Sequence, residues 1–329
     1  MALLLTAIAC RVENDRHFIR GETMGTTYHI TYYGHLSAET LKPGIDSLLQ
    51  ALNAEVSTYI PASVISRFNA STRDTVAIGP AHRHFLRNLL LARKIYLRTD
   101  GYFDPTVMPL VNYWGFGYKG HRAVTSVDSA AIDSLRRLVG MDKLVIAGDT
   151  LIRRVPGIQL DFSAIAKGYG VDLVAEWLED RGIKSYLVEI GGEDRAKGLK
   201  PGRKSWVIGI AIPRPDASPN DFRTTVRLDD RAMATSGNYR NYHFVNGQMY
   251  SHTINPKTGF PKRDSLLSAS VLAPDCASAD ALATACMAMG FVKAKNMLSR
   301  LDSCDFILKV GTPGGSIRTI LSDPKLEIR

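Results

Sequence analysis

Between positions 41 and 52 the apolar residues Leu41, Ile45, Leu48, Leu49 and Leu52 recur at the three- and four-residue spacing of one helical face, and Ser37 ahead of them is a good N-cap. The pattern predicts a helix whose first turns are weakened by Pro43-Gly44. Before it, residues 27–33 are β-branched and aromatic and predict a strand, while residues 11–25 read as a polar lead-in. Residues 57–69 are too irregular for a regular element. Helices are predicted over 81–98, near 127–138 and over 275–285, followed by a further helix and terminal strands. Strands are predicted at 185–190, 206–212 and 266–273, with hairpins across Gly148-Asp149 and Asn246-Gly247. The loop 213–220 reads as a flexible insertion, and no tandem repeat or low-complexity run interrupts the series.

The pattern changes period inside one stretch, residues 160–172. Ile158 and Leu160 alternate as in a strand, whereas Ile165, Val171, Val174 and Leu178 fall on a helical face. A strand running into a helix leaves unpaired N–H groups at the junction, and here Lys167 and Asp161 stand beside them. Such a junction attracts anions. Residues 99–117 carry a second irregularity. Pro105 and Pro109 with Gly101, Gly115 and Gly117 exclude one continuous helix, yet Tyr102, Phe103, Tyr113, Trp114 and Phe116 require burial. The loop either plugs a core or forms a wall for a flat ring.

Composition narrows the function classes. At 329 residues and 45% hydrophobic content the chain buries a large core, and it is neither disordered nor fibrous. A formal charge of +9 suits an anionic partner, but the basic residues are scattered, with no nucleic-acid-binding motif. Cys276, Cys286 and Cys304 lack C-x-x-C spacing, which argues against zinc and for buried free thiols. The apolar run 2–9 ends in small residues before Cys10 and looks like the end of a bacterial lipoprotein signal, although no Lys or Arg precedes it and the run is short. Residues 1–20 are therefore expected to be a signal remnant and lead-in with lipid on Cys10, and 21–329 the working domain.

Several short motifs follow one another in order: Thr23-Met24-Gly25-Thr26, Ser66-Arg67-Phe68-Asn69, Asp100-Gly101 through Trp114-Gly115-Phe116-Gly117, Asp161 through Asp172, Gly191-Gly192-Glu193, Ala234-Thr235-Ser236-Gly237, His252-Thr253-Ile254-Asn255-Pro256 and Ala279-Asp280-Ala281-Leu282-Ala283-Thr284. In this set and order the chain resembles the FAD:protein FMN transferases, the ApbE family, from about Gly21 to Gly290. The resemblance implies an α+β fold of two intermeshed α/β lobes, related to the T-fold, with the FAD site between them. It also implies Mg²⁺-dependent transfer of FMN from FAD to a threonine of a partner protein, with release of AMP. That partner would be a membrane redox subunit, and the enzyme would sit on the periplasmic side of the inner membrane, anchored through Cys10. The alternatives are an FAD pyrophosphatase giving FMN and AMP, and a flavin-binding lipoprotein without turnover.

Carried over residue by residue, the resemblance assigns FAD contacts to Met24, Tyr59, Tyr102, Phe103, Asp104, Asp161, Lys167 and Ile254, and Mg²⁺ contacts to Ala164, through its carbonyl, Asp280 and Thr284. The residues fit that chemistry. Asp280 and Thr284 are four apart on a predicted helix and share a face, and both offer the hard oxygens Mg²⁺ prefers. Lys167 at a helix start is placed to neutralise a phosphate. His252 is the best proton acceptor of the set, with Asp280 as second candidate for the base.

Overall fold

The computed structural model describes residues 15–118, 124, 126–214, 216–218, 221–239 and 241–328; Cys10 and its apolar run lie outside them, as does part of the loop 213–220. Eight helices are described: α1 (Ala38–Val56), α2 (Val64–Ala70), α3 (Arg83–Arg98), α4 (Met108–Tyr113), α5 (Ser129–Arg136), α6 (Ala166–Glu179), α7 (Cys276–Met289) and α8 (Phe291–Leu298). The strands are β1 (Arg16–Thr23), β2 (Thr26–Tyr33), β3 (Thr75–Ala77), β4 (Leu144–Ala147), β5 (Thr150–Arg153), β6 (Ser185–Ile190), β7 (Glu193–Lys197), β8 (Trp206–Ala211), β9 (Phe222–Leu228), β10 (Ala232–Gly237), β11 (Tyr242–Val245), β12 (Gln248–Ser251), β13 (Leu266–Ala273), β14 (Asp305–Gly311), β15 (Ile317–Leu321) and β16 (Glu327–Ile328).

One eight-stranded sheet, in the order β1-β2-β6-β7-β10-β13-β14-β15, forms the frame, and every neighbouring pair in it is antiparallel. Alternation along the strands sends one set of side chains to a helical layer and the other to a small sheet. Ala234, Val271 and Leu308 face α7, whereas Met233, Leu272 and Ile307 join Trp206, Ile210 and Val226 of β8 and β9 in a separate core. The largest core joins α1, α2, α3, β5, α6, α7, β13 and β14. Elements from both halves of the chain interdigitate there, as the α+β expectation requires.

Three local expectations need correction. The polar lead-in includes a full strand: β1 pairs with β2 through a two-residue turn at Met24 and Gly25, both with positive φ (52° and 73°). Such turns match the twist of a hairpin. The irregular stretch 57–69 holds α2, which Ser63 starts by accepting the N–H of Ser66 at 3.1 Å. Residues 158–160 belong to no strand, and at Leu160 a side chain takes the place of a neighbouring strand. Asn69 accepts the Leu160 N–H at 2.7 Å and donates its Nδ2 to the Leu160 carbonyl at 2.8 Å. Pro43, in contrast, is tolerated inside α1, whose face Leu41, Ile45, Leu49, Leu52 and Val56 is buried.

The crossing of α6 and α7 places the site. Gly168 lies so close to α7 that a Cβ there would meet the Cys276 carbonyl oxygen at 2.4 Å. Asp172, one turn further along α6, accepts the N–H groups of Cys276 and Ala277 at 2.9 Å each and Arg195 Nη1 at 2.8 Å. It therefore satisfies the start of α7 from outside that helix. Asp172→Ala leaves these donors and a partly buried guanidinium without their acceptor, and is expected to cost about 3–5 kcal/mol, measured as a lower urea midpoint.

Candidate active site

The junction before α6, the loop 99–117, the end of β10, the segment after β12 and one face of α7 enclose a single cavity of about 450 Å³. Tyr59, Tyr102, Phe103, Asp104, Asp161 and Ile254 line it. So do Ala164, Lys167, His252, Asp280 and Thr284. Of the predicted site residues only Met24 stands apart. Its side chain packs on α6, with Cε 3.1 Å from the place a Cβ on Gly170 would take, so its contact with the site is through the backbone of that helix.

Lys167, in the first turn of α6, points to two buried carboxylates: Nζ lies 2.8 Å from Glu193 Oε1 and 3.8 Å from Asp280 Oδ1. Burial opposes its charge, but Asp280 and then Glu193 outweigh that, so the ammonium is held above its usual range. Burial also pushes the Glu193 carboxyl up, with Asp280 adding to the effect and Lys167 opposing it. Asp280 Oδ2 accepts the N–H of Gly168 at 3.1 Å, capping α6. The Thr284 hydroxyl lies on the same face of α7, 3.1 Å from Ser236 Oγ of β10.

Across the cavity, the Nδ1 of His252 lies 3.2 Å from the carbonyl of Asn241. A carbonyl only accepts, so Nδ1 carries the proton and Nε2 keeps its lone pair. Burial, and secondarily Lys167, lower the pKa of His252 from 6.5, against the raising effect of the Asn241 bond. The imidazole is neutral at pH 7 and able to accept a proton.

The aromatic loop plugs a core with one part and lines the cavity with another. Trp114 is buried, donates Nε1–H to the Gly259 carbonyl at 2.8 Å and stacks on Tyr250, while Tyr102 and Phe103 face the cavity. Asp104 and Asp161 are spent on local turns. Asp104 accepts the N–H and hydroxyl of Thr106 at 2.8 and 2.6 Å, and burial pushes its carboxyl up to about 6. Asp161 accepts both donors of Ser163, and its own N–H donates to the Pro105 carbonyl at 2.7 Å, which ties the two loops together.

The donor set fits a hard cation. Among the described residues Asp280 Oδ1 has no hydrogen-bond donor closer than Lys167 and the buried Glu193 Oε2 has no partner, while Thr284 adds a hydroxyl. Among the described residues no cluster of three His, Cys, Asp or Glu side chains is set to hold a metal. A cation here would take most of its oxygens from water and phosphate, as Mg²⁺ commonly does. In the sequence Glu193 stands only at the end of the motif Gly191-Gly192-Glu193. Its one signal was a carboxylate following Gly191-Gly192, and only the pairing of β7 with β6 and β10 turns it inward. Asn241, which orients His252, had no signal.

The ApbE family model matches residues 24–308. The chain belongs to the ApbE family. A Vibrio cholerae protein named FAD:protein FMN transferase is 39% identical over 294 residues, covering 88% of this chain and 86% of its own length. A Haemophilus influenzae protein of the same name is 38% identical over 316 residues, covering 94% and 90%. The structure of the Vibrio cholerae flavin transferase ApbE superposes with a TM-score of 0.83 at 36% identity, covering 94% of this chain and 97% of that one. Apo Pseudomonas stutzeri flavinyl transferase ApbE gives 0.84 at 33% identity, covering 95% and 96%. This ApbE-family chain thus has the mixed helix-and-sheet fold of its relatives, and no helix among the described residues is long and apolar enough to cross a membrane.

Proposed function

We propose that this chain transfers FMN from FAD to a hydroxyl of an acceptor protein and releases AMP, with Mg²⁺ held by Asp280, Thr284 and the main chain at Ala164. The acceptor residue is a threonine of a membrane redox subunit, and lipid on Cys10 keeps the enzyme at the periplasmic face. The names of the curated relatives support the transfer. The observation that carries it is that Lys167, His252 and the helix-borne pair Asp280 and Thr284, from three separate segments of the chain, line one cavity.

The acceptor oxygen bonds to the FMN-side phosphorus while the bond from that phosphorus to the AMP oxygen breaks. The acceptor proton passes to Nε2 of His252, whose ring Asn241 holds in the required tautomer. Lys167, kept charged by Asp280 and Glu193, meets the pyrophosphate. Tyr102 and Phe103 flank a ring and exclude water from one side. When bound, Mg²⁺ supplies a fixed positive charge beside the phosphates.

The test is incubation with FAD and Mg²⁺, with and without an acceptor domain. AMP and flavin-bearing acceptor are expected in equal amounts. AMP formed equally fast without acceptor would mark a pyrophosphatase, and no AMP in either case would refute the assignment.

A further inference from the structure

A second concavity, of about 420 Å³, adjoins the ligand cavity and shares Tyr102 with it as a wall. Its floor is apolar, from Tyr250, Phe260 and Met289, and its rim is basic, from Lys262, Arg263 and Lys293. No Asp or Glu among the described residues lines it. None of the three cations forms an ion pair with a carboxylate among the described residues. Lys293 donates to the Tyr102 hydroxyl at 2.5 Å, and Arg263 donates to Gln248 Oε1 at 2.6 Å while standing over the Tyr250 ring. Two acids stand near the rim without ion-pairing to these cations, although Asp100 acts on Lys293 electrostatically. Asp264 Oδ1 accepts the N–H groups of Leu266 and Phe291, and Asp100 pairs with Lys257 at 2.6 Å.

We propose that this groove docks the acceptor protein, taking an acidic stretch of its chain beside the hydroxyl-bearing residue. The proposal rests on the transfer reaction above. A polypeptide whose hydroxyl enters the ligand cavity must continue outside it, and Tyr102 forms the partition between cavity and groove. Unpaired cations over an apolar floor complement carboxylates carried on an extended chain, each residue of which spans about 3.3–3.6 Å. The same cations sit outside the cavity that would hold FAD, so they select the protein partner and leave cofactor binding alone.

The experiment uses two synthetic peptides, each with one threonine, flanked by aspartates in one and by asparagines in the other. Fluorescent labels report binding, and mass spectrometry reports FMN transfer. The wild-type protein is expected to favour the aspartate peptide by about tenfold in KM or Kd at low salt, a preference that shrinks as NaCl rises. The double variant Lys262→Glu with Arg263→Glu is expected to abolish or invert that preference while FAD affinity and Mg²⁺-dependent AMP release stay at wild-type levels. Equal use of the two peptides by the wild type, use of neither, or a preference that survives the double charge reversal overturns the groove. Weakened FAD binding in the double variant overturns it as well, by making the groove part of the FAD site. If the wild type releases no AMP from FAD, it is the transfer reaction that fails, and binding of the two labelled peptides alone decides the groove.

Discussion

Asp280→Ala is expected to lower FMN transfer at limiting Mg²⁺ by about 10²-fold or more, at least about 2.7 kcal/mol of transition-state stabilisation, while FAD still binds. Asp280 is the only negatively charged member of the proposed ligand set, and one of its oxygens already caps Gly168. Its loss also removes a counter-charge from Lys167, 3.8 Å away. Two variants separate these roles. Asp280→Asn retains an oxygen for the Gly168 N–H but not the charge, so it should keep the stability of the parent and lose Mg²⁺ affinity, read by calorimetry without FAD. Thr284→Ala removes a neutral oxygen that water replaces, so its defect should be smaller and largely restored by raised Mg²⁺. An Asp280→Ala protein that transfers FMN at the parent rate in limiting Mg²⁺ would remove the metal from this site.

His252→Ala is expected to slow transfer by about 10²–10⁴ with FAD binding nearly intact, as for loss of a general base. The pH profile carries the sign. Because burial, aided by Lys167, lowers the His252 pKa from 6.5, the neutral form predominates from that pH upward. The rate should be level through neutral pH and fall as pH drops through the lowered pKa, where His252 takes up a proton from solvent and can no longer accept one from the hydroxyl. The acid limb should vanish in His252→Ala. A limb that persists there would assign it to another group, and lost FAD binding with unchanged turnover would make His252 a pocket residue only.

Much of the frame was legible from local pattern. The face of α1, the boundaries of β6 and β13, the hairpin at Asn246-Gly247 and the buried, alanine-rich α7 follow from periodicity and turn chemistry, which act over a few residues. The common face of Asp280 and Thr284 is of the same kind, since four residues on a helix are one turn. Motif order was enough to point to the family, and most of the residues it implied do line one cavity.

Other features rest on contacts that the periodicity of a segment does not record. Residues 158–160 alternate like a strand, but the backbone of Leu160 is satisfied by Asn69, about ninety residues earlier, which no period in the segment records. Met24 belongs to a motif, and its side chain packs against α6 at Gly170, a contact the motif by itself does not record. Asp104 and Asp161 line the cavity, and each also accepts hydrogen bonds from the residue two positions on, Thr106 and Ser163, as its turn closes. Glu193 and Asn241 acquire their roles only when Lys167 and His252 are brought against them. The sequence by itself determined most of the helices and strands, though not β1, α2 or the unpaired segment 158–160, and it showed which side chains could do chemistry. Which of those side chains meet, with what charge and what proton, was decided by the crossing of α6 and α7 over one antiparallel sheet, because burial and pairing at a few ångströms set those properties and neither is local in the chain.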